Sequence, residues 1–126
     1  MKTLLCLFAL TIAASAQAKN FTCKQIGGDK DDSRLGRTLS LDISGDEATV
    51  HGMIWGKDTR ESGKRDETDS RGQAVYVGFS SIQDDNADLR AYADKSLLKG
   101  KPGKFSFWLL GDGEDSVTGR YDYNCK

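Results

Sequence analysis

A chain of 126 residues with 18 basic and 19 acidic side chains is sized for one domain, and its net charge of −1 argues against holding nucleic acid by bulk electrostatics. One histidine and three cysteines leave no ligand set with zinc-type spacing. After the first twenty residues, no apolar run is long enough to cross a bilayer as a helix.

Residues 1–18 read as a cleavable signal peptide. Lys2 supplies the positive start, Leu4 to Ala14 (LLCLFALTIAA) the apolar stretch, and Ala16-Gln17-Ala18 the small-x-small cleavage site. A membrane anchor would need to span about 30 Å of hydrocarbon, which this run does not do comfortably. The mature chain is then expected to begin at Lys19, as a single domain over 19–126, secreted or periplasmic. Removing Lys2 and no acid leaves 17 bases against 19 acids and a net charge of −2. Cys6 departs with the leader. Cys23 and Cys125 remain, and an oxidising compartment makes a disulfide between them the expectation. A bridge closing about a hundred residues stabilises by at most about 4.7 kcal/mol in the chain-entropy picture.

Along the mature chain the apolar period is mostly two. Phe21, Cys23 and Gln25 alternate with Thr22, Lys24 and Ile26. Over Thr38–Ser44, Leu39, Leu41 and Ile43 face one way, and Gly45-Asp46 then reads as a tight turn. Ala48, Val50, Gly52 and Ile54 continue the inward row, with Thr49, His51, Met53 and Trp55 opposite. Gly56–Gly72 contains no large apolar residue and reads as a long solvated loop or the polar tip of an extended hairpin. Val75, Val77 and Phe79 then alternate, with Tyr76 on the other face.

Leu89–Leu98 fits a short strand or a helix ended by Gly100, and the strand is favoured. After the turn KGKPGK, Phe105, Phe107 and Leu109 alternate with Ser106, Trp108 and Leu110. Gly111-Asp112-Gly113 opens a further turn, and Val117, Gly119, Tyr121, Tyr123 and Cys125 share a face of the last strand.

These spacings predict a mainly β fold, a small antiparallel β-barrel or β-sandwich of about six to eight strands with its ends tied by one disulfide. The bridge adds a parity condition. In a simple meander, the start of the first strand and the end of the last meet only if the strand number is even. Closure of first against last strand also removes exposed edges.

Candidate chemistry is sparse. His51 is the only histidine, both mature cysteines are committed to a bridge, and no catalytic residue is singled out. Asp84, Asn86 and Asp88 follow the first half of a calcium-loop pattern, but Leu89 and Lys95 stand where glycine and glutamate belong. No other metal and no cofactor is called for. Trp55, Tyr76 and Trp108 fall opposite the main apolar row and are the candidates for a ligand-binding surface.

The expected function is a non-catalytic, inhibitor-like or binding module whose ligand is a protein or a carbohydrate. The plan is similar in architecture to that of small periplasmic lysozyme inhibitors, whose motifs are not found here. The alternatives are a small secreted hydrolase using carboxylates and a calcium-stabilised structural protein of the envelope. The hydrolase requires an acid buried in a cleft.

Overall fold

Alternation of apolar and polar residues drives a chain into strands wherever one face can be buried. The computed structural model describes residues 19–28, 34–66, 72–80, 82, 88–110 and 117–126. The expected leader, residues 1–18, lies outside the described residues. The elements are β1 (Lys19–Gly28), β2 (Leu35–Ser44), β3 (Glu47–Ile54), β4 (Lys57–Arg65), β5 (Ala74–Val77), β6 (Asp88–Ala93), the single-turn helix α1 (Lys95–Leu98), β7 (Gly103–Leu110) and β8 (Val117–Cys125). Each strand pairs antiparallel with the next, and β1 pairs with β8, so the sheet closes into an eight-stranded barrel.

The strand number is even, as the cysteine pair requires. Cys23 and Cys125 are register partners joined by a disulfide, with Cα atoms 4.0 Å apart. Thr22 and Lys126, one step further along, exchange both backbone hydrogen bonds at 3.0 Å. The cysteines therefore occupy a position between hydrogen-bonded pairs, where opposing Cα atoms lie closest.

The inward rows form one buried cluster. Phe21, Leu39, Leu41, Val50, Phe105, Phe107, Tyr121 and Tyr123 all belong to it, each 7% exposed or less. Phe107 meets Phe79 and Phe105 edge-to-face at 5.2 and 5.1 Å. An eight-stranded barrel is just wide enough for its own side chains to fill. Tyr123 keeps its polar tip satisfied by donating to the Gly36 carbonyl at 2.6 Å, where the β2–β3 pairing is irregular.

Three expectations are corrected. Gly56–Gly72 is not a solvated loop throughout: Lys57–Arg65 is β4, and its residues Lys57 to Lys64 pair with β3. Its inward positions are Thr59, Glu61 and Gly63, so no apolar residue announces it. Gly63 leaves a space that the Phe79 ring fills.

Tyr76 does not sit opposite the apolar row. It points inward with Ala74 and is fully buried, whereas Val75 belongs to the outer wall. Every residue from Ala74 to Val77 except the Tyr76 hydroxyl is apolar, so alternation has no polar partner from which to choose a face.

Leu89–Leu98 is both structures in succession. Leu89, Ala91 and Ala93 face the core from β6, and α1 then tucks Leu97 into the core. Gly100, at φ +78, follows α1.

Candidate functional site

With the barrel interior packed, the candidate sites lie on the surfaces that face outward. The outer wall of β7 and β8 holds the first. Because Phe105, Phe107 and Leu109 point inward, Ser106 and Trp108 must point out; β8 places Arg120 and Asp122 beside them through the pairs Trp108↔Arg120 and Ser106↔Asp122. Arg120 lies with its guanidinium carbon 4.7 Å from the Trp108 ring centre, and its Nε donates to both Asp122 oxygens at 3.0 and 2.9 Å. Ser106 donates to the same carboxylate at 2.8 Å. Tyr92, on β6, braces the indole at 5.4 Å.

A bulge in β1 completes the rim. Gln25 pairs with Tyr123 and Gly27 with Asp122, so Ile26 is the extra residue and stands 50% exposed. Gly27 lies against the Asp122 carboxylate: a Cβ there would meet Oδ2 at 3.2 Å. On the other side, Asp94 accepts from Gln73 Nε2 at 2.9 Å and from the Lys104 backbone N–H at 2.8 Å. These groups enclose a hollow of about 200 Å³ lined by Ile26, Gly27, Gln73, Lys104, Ser106, Trp108, Arg120 and Asp122. Its chemistry is mixed: an indole flank, two cations, one carboxylate, one hydroxyl and one amide.

The second surface is the outer face of β3 and β4. Met53 and Trp55 are 47% and 49% exposed. Arg34 stacks its guanidinium 4.8 Å from the Trp55 ring centre. His51 lies on the same face, with Nε2 3.0 Å from Asp58 Oδ1, and Arg60 approaches Asp42 at 3.8 Å.

The three aromatic candidates are thus not brought together. Trp55 stands at the β3–β4 turn, Tyr76 lies inside the barrel, and Trp108 flanks the hollow on β7. Sequence reasoning placed Trp108 on the outer face but missed Gln73, Lys104, Arg120 and Asp122 as its companions. Outward alternation marked the two β8 residues; nothing local marks Gln73 or the bulge at Ile26.

Of the calcium candidates, Asp84 and Asn86 lie outside the described residues. Asp88 opens β6 and pairs with Arg90 Nε at 3.4 Å. Among the described residues no group of three or more His, Cys, Asp or Glu side chains could hold a metal ion. The buried polar or charged side chains among them are Arg34 and Ser106, so no described carboxylate is buried. Among the described residues no helix is long and apolar enough to cross a membrane. Comparison of the chain with known protein families, with curated proteins and with solved structures finds no match.

Proposed function

We propose that this chain is an exported, non-catalytic binding domain that takes a sugar residue in the hollow beside Trp108. The observation that carries this reading is the composition of the hollow: one indole flank within a ring of groups that both donate and accept hydrogen bonds. A pyranose presents the matching pattern, an apolar C–H face and a rim of hydroxyls that each donate and accept.

The arrangement is held before any ligand arrives. Arg120 is fixed by two bonds to Asp122, Asp122 by Ser106, and Trp108 by Arg120 and Tyr92. Such pre-ordering lowers the entropy lost on binding. The carboxylate-hydrolase alternative calls for a desolvated acid. The acid nearest to that condition in the hollow, Asp122, is instead neutralised by Arg120.

A glycan array probed with the mature chain tests the proposal. Binding to a subset of glycans is expected, with Trp108→Ala losing at least about tenfold in affinity, the loss of one well-placed contact of about 1.4 kcal/mol. The bound glycan is expected to be recovered intact. Binding to no glycan across a range of salt concentrations refutes the sugar reading, and recovery of a cleaved glycan refutes the non-catalytic one.

A further inference from the structure

Along an antiparallel strand, successive residues turn their backbone N–H and C=O groups to alternate sides. In β4 the alternation is fixed at its C-terminal end. Arg65 donates to the Asp46 carbonyl at 2.7 Å, on the β3 side, and the next residue, Asp66, donates to the Val75 carbonyl at 2.8 Å, on the β5 side. Ser62, Arg60 and Asp58 therefore present their backbone groups towards β5. That strand meets β4 only at Lys64↔Val77 and Arg65↔Tyr76. Among the described residues no backbone group pairs with Asp58, Arg60 or Ser62 on that side. An edge of this kind is a template for a further strand.

The charges along the edge name the strand that fits. Lys57-Asp58-Thr59-Arg60-Glu61 is its own complement. Laid antiparallel on a second copy with Thr59 opposite Thr59, it sets Asp58 against Arg60 and Lys57 against Glu61 on either side of a two-fold axis. The hydrogen-bond pattern allows this register, because Asp58 and Arg60 both turn their backbone groups outward. The two nearest registers with the same pattern put Asp58 opposite Asp58 or Arg60 opposite Arg60, and like charges directly opposite destabilise a pair. Charge on an edge strand commonly blunts association. Here it opposes the slipped registers and favours one.

We propose that this barrel forms a two-fold symmetric dimer with a second copy of itself, by antiparallel pairing of β4 with β4 centred on Thr59. The side chains concerned are accessible: Asp58 is 73% and Arg60 62% exposed. Asp58 already meets His51 Nε2 at 3.0 Å, and Arg60 meets Asp42 at 3.8 Å. Neither contact exhausts its group, since a carboxylate accepts several hydrogen bonds and a guanidinium donates several. Ser80, bonded to Glu61 Oε1 at 3.1 Å, bounds the open stretch towards Gly63. The paired stretch is short, so the dimer is weak and forms as concentration rises. No residue of β4 lines the hollow beside Trp108, so the dimer is independent of the sugar reading.

Sedimentation velocity on the mature chain, up to about 1 mM, the weak end of the affinity scale, tests the proposal. A monomer–dimer equilibrium is expected, together with slowed hydrogen exchange at the Asp58 and Arg60 amides as the dimer fills. Arg60→Glu sets an acid opposite Asp58 and is expected to raise the dissociation constant at least about tenfold. Asp58→Arg is expected to do the same by setting cations face to face. Mixed in equal amounts, the two variants match charge for charge, and a heterodimer of about the parent's affinity is expected. Both substitutions are on the exposed face, and circular dichroism equal to the parent's is expected of each. The proposal is overturned if the parent stays monomeric, if its dimer survives Arg60→Glu undiminished, or if the mixed variants fail to associate. A monomeric parent that binds a synthetic peptide of alternating Thr and Val, with amide shifts confined to β4, would assign the edge to a foreign strand and equally overturn it.

Discussion

Tyr123 shows how a single inward polar group constrains the barrel's response to pH. Its ring is fully buried, and its hydroxyl donates to Gly36, so the phenolate has no solvent to receive its charge. Burial raises its pKa well above the ordinary value of 10.0. In the unfolded chain the same phenol ionises near 10.0. Its contribution to stability is therefore fully present below about pH 10 and declines as pH rises further, because the unfolded state loses the proton first. Urea midpoints are expected to fall between about pH 9 and about pH 11. Tyr123→Phe should make that fall shallower, while costing about 1 kcal/mol at neutral pH through the lost hydrogen bond.

At the level of elements, the wall has one seam. β4 pairs with β3 from Glu47↔Lys64 to Ile54↔Lys57, but with β5 only at Lys64↔Val77 and Arg65↔Tyr76. Beyond Val77 the chain leaves the ladder, and Phe79 and Ile82 turn into the core. Ser80 ties this stretch to β4 by donating to Glu61 Oε1 at 3.1 Å. The seam depends on the missing side chain of Gly63, since a Cβ there would collide with the Phe79 ring. Gly63→Ala is expected to destabilise by about 1–3 kcal/mol, measured by urea unfolding, as overpacked cores do.

The same exchange of roles explains what the sequence could not show. β1, β2, β3, β7 and β8 were legible because each carries its own hydrophobic row. β4 was not, because Phe79 supplies from a neighbouring segment the apolar bulk that Gly63 omits. Tyr76 was assigned to the wrong face because Ala74, Val75 and Val77 are apolar on both sides. For the candidate site, the outward position of Trp108 was legible from its alternation with Phe107 and Leu109. The hollow itself was not, because it depends on the β1 bulge at Ile26 and on Gln73, which is brought in from the start of β5 through its bond to Asp94.

For the whole molecule, closure and cross-linking coincide. β1 pairs with β8 by backbone hydrogen bonds on either side of the disulfide, so the bridge reinforces a junction that the sheet already makes. The paired variant Cys23→Ala/Cys125→Ala is expected to keep its β-sheet circular dichroism while losing about 2–4 kcal/mol in denaturant unfolding. A disordered spectrum for that variant would mean that the ladder alone cannot hold the barrel shut. The separation of 102 residues between the two cysteines also sets an order of events during synthesis. Cys23 emerges early and must wait, with one flank of its strand unmatched, until all the other strands have been made. The bridge therefore needs an almost complete chain: one halted anywhere before Cys125 cannot form it.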